Sequence, residues 1–388
     1  MPKPSIPVYF HRAVQTVRRV SYPTRAFWNR VTEGLEMQDL WGQFKSEART
    51  SYVLYSREVA WESIRNDHAW RRPFRIAWAL FGAMLMKLSP ARRVLLLAAI
   101  LMIVFSGEAQ IGNIVFGVKL EFFGAALLFL LLALELADRV TMKRDLEIAR
   151  EIQRWLVPAS PPAVPGMDIS FFTRPANTVA GDYYDAFLRA KIHGEAPTLL
   201  LAVADVAGKS VPAAMLMATF QASLRALQES GVPFPELVRG LNCYACANSL
   251  NGLRFTTAFL AQLNVETREM LYVCAGHNPP ILRRREGAIE KLDAGGLPFG
   301  IETEEKYECG TTRLETGDLL VIYTDGVVDA VNSEEVQFGE ERWREKVGSV
   351  KPSESAAATL SHLAAYLDSF VGSARQHDDI TCLIARVT

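Results

Sequence analysis

The stretch TLLLAVADVAGKS, residues 198–210, is a run of apolar residues that ends at an aspartate, Asp205. Apolar and β-branched residues in such a run are typical of a buried β-strand. A carboxylate at the end of that strand carries a high desolvation cost unless another group pairs with it. The small residues Ala207 and Gly208 then indicate a tight turn into the next helix. The stretch therefore predicts a strand that brings Asp205 to one edge of a sheet.

Three further acidic patches lie elsewhere in the chain. They are VAGDYYD, which contains Asp182, IYTDGVVD, which contains Asp325, and HDDITCLI, which contains Asp378 and Asp379. Three of the four patches adjoin β-branched or apolar runs that predict strands. A divalent cation is the simplest shared partner for several carboxylates at strand ends. No matching set of His or Cys accompanies them, and oxygen ligands alone favour Mg²⁺ or Mn²⁺ over Zn²⁺. We therefore expect these patches to form one metal site.

Composition excludes several classes of protein. The chain has 388 residues, enough for two or three domains, and its formal net charge of -1 gives no indication of a nucleic-acid partner. The five cysteines are scattered and odd in number, which fits a reducing compartment better than a disulfide framework. Cys243 and Cys246 form a C-x-x-C without the further ligands that a zinc site needs.

Residues 1–90 are basic and rich in aromatic residues, and we interpret them as helices interrupted by Pro23 and Pro73. The basic start lacks an apolar segment, so no signal peptide is expected. Arg mixed with Trp is typical of a membrane surface. A small helical domain with an aromatic core remains the alternative.

Residues 91–138 carry two apolar blocks, Val94–Phe105 and Phe122–Leu136. Each is shorter than the roughly 20 residues of a membrane-spanning helix, but extension into the segment between them makes one or two spans possible. Basic residues on both flanks indicate a helical membrane-anchoring hairpin whose two ends lie in the cytoplasm. The expected location is the cell inner membrane, with the following domain cytoplasmic. A buried hairpin of a soluble protein is the alternative.

Residues 139–165 predict a linker helix that ends at a Pro-rich turn. Apolar residues recur at a spacing of three or four, with charged residues between them; they are Leu146, Ile148, Ile152, Trp155 and Leu156. Such a helix can form a homodimer by pairing with its copy as a coiled coil, or it can transmit a signal. A plain connector is the alternative.

Residues 166–388 predict a domain in which strands mostly follow strands. Helical runs interrupt them at 212–229, 234–250, 339–347 and 352–370. This order favours an α+β fold, an antiparallel sandwich flanked by helices, over a doubly wound parallel sheet.

A series of motifs in this region resembles one family. In order they are LEIAREIQRWLVP, VAGDYYD, VADVAGKSVPAAMLMA, AGHNPP, GLPFGI, LLVIYTDGVVDA and HDDITCLI. They are similar to those of the bacterial SpoIIE/RsbU-type, metal-dependent protein serine/threonine phosphatases of type 2C, over about residues 144–388. The resemblance implies an αββα sandwich with two Mn²⁺ or Mg²⁺ ions at one end. It also implies hydrolysis of phosphoserine or phosphothreonine on a partner protein, in this branch typically an anti-anti-sigma (STAS-type) factor.

The resemblance also assigns roles to single residues. Asp182 matches the first metal-binding aspartate, Asp205 the bridging one, and Asp325 and Asp378 the later two. Val206 stands where the family often has a glycine whose backbone carbonyl binds metal, and a valine carbonyl can also do so. Eukaryotic members of the wider family carry a proposed acid, a histidine, shortly after the bridging aspartate, and this chain has none there.

Three other polar residues are candidates for orienting the metal ligands or contacting substrate: Asp185, Lys209 and Asp379. Neighbouring strand residues face opposite ways, so only one of Asp378 and Asp379 should bind metal. The AGKS sequence is not a P-loop, because Val203 stands where the first glycine is needed.

The leading hypothesis is a membrane-tethered protein phosphatase in a bacterial signalling pathway. The competing hypothesis is a catalytically weak, phosphatase-like scaffold that only binds its partner. The four aspartates argue against the scaffold, because a domain without activity has no reason to keep costly buried carboxylates. A nucleotidyl cyclase is disfavoured by the missing P-loop and by the order of the motifs.

Overall fold

The structure, a computed structural model, describes residues 71–111, 114–189, 197–249 and 254–388. The chain divides into two compact units between Ala137 and Asp138. Most of the basic N-terminal region, residues 1–70, lies outside the described residues, and the two interpretations of that region stay predictions.

The described part of the first unit consists of helices and one pair of strands. In chain order its elements are α1 (Arg72–Lys87), α2 (Pro90–Val104), β1 (Gly107–Ile111), β2 (Ile114–Val118) and the start of α3 (Glu121–Leu156). A proline lies in the first turn of both α1 and α2, where its fixed φ suits the helix and its missing N–H is not needed. Pro73 therefore begins a helix here. The helices α2 and α3 pack closely, since a Cβ on Gly124 would lie 2.6 Å from the Ile103 side chain.

The described residues give no support to the transmembrane hairpin predicted for residues 91–138. In the parts of the chain that the structure describes, no helix is both long and apolar enough to cross a membrane. The helix α2 has 15 residues, about 22 Å of helix against a hydrocarbon core of about 30 Å. The pair β1 and β2 then interrupts the apolar segment, and α3 becomes polar from Glu135 onward.

The second unit contains the sheets. After the end of α3 its elements are β3 (Met167–Arg174), β4 (Tyr183–Arg189), β5 (Thr198–Val206), α4 (Val211–Glu229), α5 (Phe234–Ala247), β6 (Thr256–Asn264), β7 (Glu269–Ala275), β8 (Ile281–Arg283), β9 (Ile289–Lys291), β10 (Gly295–Gly296), β11 (Gly310–Arg313), β12 (Leu319–Tyr323), α6 (Asp325–Val328), α7 (Glu340–Gly348), α8 (Ala356–Val371) and β13 (Ile380–Val387).

These strands form two sheets. The first sheet has six strands in the order β10-β7-β6-β5-β4, with β11 also paired to β7. The second has five strands in the order β3-β13-β12-β8-β9. The described pairings are antiparallel except for the short parallel contact between β10 and β7.

Three apolar layers hold the sandwich together. The first lies between the two sheets and contains Leu201 and Leu383. The second lies between the first sheet and helices α4 and α5, and it contains Leu200 and Leu237. The third lies between the second sheet and helices α7 and α8 and contains Trp343. Successive residues of β5 thus face opposite layers, which explains why its sequence is apolar without alternation.

The predicted α+β class, two sheets flanked by helices, is confirmed. The strand β4 was not among the predicted strands, because its sequence YYDAFLR places Asp185 at a fully buried position. That carboxylate accepts hydrogen bonds from the Tyr183 hydroxyl at 2.5 Å and from the Arg225 guanidinium at 2.6 Å. The sequence around a buried acid does not predict a strand when the partner of that acid, here Arg225, lies on a helix that is distant in sequence.

We expect Leu201→Ala to lower the free energy of unfolding by about 3 kcal/mol, the usual cost of a cavity between well-packed strands. Leu201 is fully buried between the sheets, whereas Leu188 on the neighbouring strand is 45% exposed. Leu188→Ala is therefore the matched control and should cost less than about 1 kcal/mol. Urea unfolding followed by circular dichroism measures both, and equal losses would contradict the assigned core.

Candidate active site

Asp182 and Asp205 meet at one edge of the first sheet. The register pairs Tyr183 of β4 with Ala204 of β5, so Asp182 lies just beyond the pairing at the point where β5 delivers Asp205. A Cβ on Gly181 would lie 3.2 Å from the Val206 carbonyl oxygen and 3.7 Å from Asp205 Oδ1. The Val206 carbonyl is therefore at this edge, as its predicted role requires.

Asp325 and the Asp378-Asp379 pair meet at the corresponding edge of the second sheet. Tyr323 at the end of β12 pairs with Cys382 of β13, and Asp325 follows two residues later as the first residue of the short helix α6. The two backbone segments are so close here that a Cβ on Gly326 would lie 1.9 Å from the Asp379 carbonyl oxygen. Only glycine permits this approach.

Side chains join the two edges into one site. The Thr324 hydroxyl of the second sheet donates a hydrogen bond to Asp182 Oδ2 at 2.9 Å. The Asp379 carboxylate accepts from the Ala176 amide at 2.7 Å and from the Gly181 amide at 2.6 Å. The strand ends of both sheets are thus fixed against each other by hydrogen bonds between residues that are distant in sequence.

Burial and the closeness of the carboxylates raise the pKa values of Asp205, Asp182 and Asp325. Burial and then the negative charges of Asp325, Asp378 and Asp379 raise the pKa of Asp205 to about 7, while a hydrogen bond with Asp182 lowers it. Burial and the charge of Asp205 raise the pKa of Asp182 well above its usual value. Burial and the charge of Asp378 also raise the pKa of Asp325. Each carboxylate therefore makes ionisation of its neighbours less favourable.

The donor set fits a hard divalent cation by charge and by atom type. Its ligands would be carboxylate oxygens and a backbone carbonyl, and a bound cation would relieve the repulsion that raises these pKa values. In the side-chain positions seen here, however, no three carboxylate, imidazole or thiolate groups of the described residues surround one point as metal ligands would. The oxygen atoms of Asp182 and Asp379 are turned to Thr324 and to backbone amides instead.

The three auxiliary candidates have different surroundings. Lys209 Nζ donates to the His377 carbonyl at 2.8 Å and to Asp378 Oδ2 at 3.1 Å, so its positive charge lies at the site. Asp379 fixes the backbone before Asp182 through its two amide hydrogen bonds, whereas Asp378 is paired with Lys209 and its charge acts on Asp205 and Asp325. Asp185 contacts Tyr183 and Arg225 under helix α4, and the structure gives it no contact with the other aspartates.

Sequence reasoning did not assign a role to Gln153. Its side-chain amide donates to the Ala180 carbonyl at 2.7 Å, and its oxygen accepts from the Ala180 amide at 3.0 Å. These two bonds attach the end of α3 to the segment that carries Asp182. The only signal in the sequence is the position of Gln153 one turn before the helix ends, within EIQRWLVP.

His277 of the AGHNPP motif lies beneath the site. Its Nδ1 is 3.1 Å from the Thr257 hydroxyl, and Thr257 pairs with Asp205 in the sheet. Burial lowers the pKa of His277 to about 4, so the imidazole is neutral near pH 7. It supports the Asp205 strand through its contact with Thr257.

The sandwich and its strand-end aspartates define the type 2C class of protein phosphatase fold. The chain is similar to the SiaA-PP2C domain of Pseudomonas aeruginosa, with a TM-score of 0.55 and 22% identity over 65% of this chain and 99% of that one. It is also similar to the structure of the RsbU and RsbW domains of a Mycobacterium tuberculosis protein. There the TM-score is 0.50 and the identity 25%, over 60% of this chain and 63% of that one.

The particular family follows from the sequence of the second unit. Residues 195–388 match the family described as Stage II sporulation protein E (SpoIIE), and this chain belongs to that family. It is 31% identical to the phosphoserine phosphatase RsbU of Bacillus subtilis over 189 residues, 48% of this chain and 54% of that protein. It is 27% identical to protein IcfG of Synechocystis sp. over 281 residues, 65% of this chain and 43% of that protein.

The family resemblance predicted from the motifs is therefore confirmed, and the second unit has the type 2C phosphatase fold. The chain spans about half the length of the curated relatives it matches.

We expect the metal-free protein to lose stability as the pH rises from about 4 to about 7. In this pH window the Asp205 carboxyl is protonated in the folded state, where its pKa is about 7. In the unfolded chain the same carboxyl has the ordinary aspartate pKa of about 4 and has released its proton. The free energy of unfolding should fall by roughly 2 to 4 kcal/mol across this window. Asp205→Asn should flatten the profile, and Asp293→Asn, at an exposed position, should not. Urea unfolding in EDTA at several pH values measures how the free energy of unfolding depends on pH. The same pH dependence in the wild type and in Asp205→Asn would contradict the raised pKa of Asp205.

We expect Asp379→Asn to weaken Mn²⁺ binding about tenfold, because an amide offers one acceptor oxygen for two backbone N–H groups and leaves the other unpaired. Asp318→Asn is the matched control. Asp318 is also buried, and it accepts from the Arg285 and Glu315 amides. Both variants should lose stability, but only Asp379→Asn should weaken metal binding in isothermal titration calorimetry. Equal metal affinities would show that Asp379 serves stability alone.

Proposed function

We propose that this protein hydrolyses phosphoserine or phosphothreonine on a regulatory partner protein in a bacterial signalling pathway, with divalent metal ions as cofactors. The observation that carries the proposal is the meeting of buried strand-end aspartates from both sheets, with pKa values raised by burial and by their own charges. Packing alone does not favour such a concentration of negative charge. Perturbed carboxylates of this kind are characteristic of functional sites.

The chain's own residues would act by holding and orienting. Asp182, Asp205, Asp325, Asp378 and the Val206 carbonyl would hold the cations, two in number by the family resemblance. Bound Mn²⁺ or Mg²⁺ supplies Lewis acidity toward phosphoryl oxygens and lowers the pKa of water.

Two contacts would support these ligands. The hydrogen bond from Thr324 keeps the Asp182 carboxylate oriented toward the second sheet. Lys209, beside Asp378, places a positive charge at the same edge. A phosphoryl group that approaches the site would meet that charge.

The proposed partner is a phosphorylated STAS-type protein. Two relatives from Bacillus subtilis, RsbU and RsbP, are named phosphoserine phosphatases, and the Mycobacterium tuberculosis structure contains an RsbU domain together with an RsbW domain. Release of phosphate from a phosphorylated STAS protein, measured against an unrelated phosphoserine protein, tests this choice. Equal rates on the two substrates would argue against a STAS-specific enzyme.

Two further expectations stay predictions. The homodimer through the linker helix is supported by the exposure of Ile148, Ile152 and Trp155 on α3, the last of which is 75% exposed. The cytoplasmic position of the catalytic domain is supported by the five cysteines, all of which are free thiols.

We expect Mn²⁺ or Mg²⁺ to support phosphate release from a phosphoserine protein and EDTA to abolish it. Asp205→Asn should lower the turnover at least about 10³-fold, because the central carboxylate of the cation site loses its charge. Asp293→Asn, away from the site, should retain full turnover. A wild-type protein that binds the phosphoprotein but releases no phosphate would instead support the scaffold hypothesis.

A further inference from the structure

A cavity of about 200 Å³ lies between the end of the linker helix α3 and the edge of the sandwich that carries Asp182. Arg150, Gln153 and Arg154 line it from the helix, and Asp182 and Tyr184 line it from the domain. All of these residues belong to the second unit. The cavity therefore shares Asp182 with the candidate active site and has one wall made by the linker helix.

The helix wall of this cavity is fixed in place. Gln153 is attached to the Ala180 backbone by two hydrogen bonds. Val157, at the turn after the helix, packs against the core between the sheets and against the core under helices α4 and α5. The end of the helix that carries the two arginines consequently keeps a defined position relative to Asp182.

Two arginines on this wall lack partners. Arg150 and Arg154 are four residues apart, so they lie on the same face of the helix, and both are exposed. Neither side chain makes a hydrogen bond or an ion pair within the described part of the chain. Two guanidinium groups at the mouth of a cavity suit carboxylates, which they bind with two parallel hydrogen bonds.

We propose that Arg150 and Arg154 bind acidic residues that flank the phosphoserine of the substrate protein. The inference rests on the proposed function, which places the phosphoserine at the aspartate cluster. An extended chain advances about 3.3 Å per residue. Residues about two or three positions from the phosphoserine would therefore reach this cavity, which begins at Asp182. The linker helix would then contribute directly to substrate choice.

The test compares binding of two labelled phosphoserine peptides by fluorescence anisotropy with the full chain. One peptide carries Asp and Glu beside the phosphoserine, and the other carries Ala at those positions. We expect the wild type to bind the acidic peptide about tenfold more tightly, with a preference that weakens as salt is added. The double variant Arg150→Ala/Arg154→Ala should lose the preference.

Two further variants make the test specific. Lys143→Ala/Arg144→Ala removes two positive charges from the same helix outside the cavity, and it should keep the preference. Arg150→Glu/Arg154→Glu should reverse it in favour of a peptide with Lys at the flanking positions. Equal binding of both peptides by the wild type, or an unchanged preference in the double alanine variant, would overturn the proposal.

Turnover separates this proposal from the proposed function. With Mn²⁺, the double alanine variant should hydrolyse p-nitrophenyl phosphate as the wild type does, and its KM should rise only for the acidic peptide. Absence of hydrolysis by the wild type on all substrates would refute the phosphatase activity, whereas the anisotropy measurement would still decide whether the arginines bind acidic residues.

Discussion

Repulsion between buried carboxylates is the constraint on which the rest of this domain depends. Five aspartates lie where the two sheets end: Asp182, Asp205, Asp325, Asp378 and Asp379. The negative charge of each one makes ionisation of its neighbours less favourable. Such an arrangement opposes folding unless the frame around it is rigid. The three apolar layers of the sandwich supply that rigidity, since they bury both faces of both sheets and leave the strand ends no freedom to separate.

The frame is completed by hydrogen bonds to segments that are distant in sequence. Thr324 reaches across the sandwich to Asp182, and Asp379 holds two amides of the segment before it. Gly326 allows two backbone segments of the second sheet to approach each other, at a point where any side chain would collide with the Asp379 carbonyl. These contacts are made by neutral donors or by backbone, so they order the site without removing its negative charge, which remains for a cation to neutralise.

The fold class and the central aspartates could be predicted from the sequence because their signals are local. An apolar strand such as β5 ends at a charged residue, and the change in polarity marks the edge of the sheet. Other features have no local signal. The contact of Gln153 with Ala180 joins residues 27 positions apart, and β4 contains a buried acid whose partner is on a helix. The transmembrane hairpin finds no support in the described residues, because apolar composition does not show where a helix ends and here a strand pair divides the segment.

The order of the strands has a consequence for synthesis of the protein. The first strand of the second sheet, β3, pairs with β13, and Thr173 contacts Thr381 across 208 positions of sequence. The first sheet can be completed by segments that leave the ribosome early, but β3 has no hydrogen-bonded neighbour until β13 emerges. Asp378 and Asp379 arrive with that strand. The site therefore assembles only after β13 has been synthesised, and a product truncated before β13 would lack the partner strand of β3 together with Asp378 and Asp379.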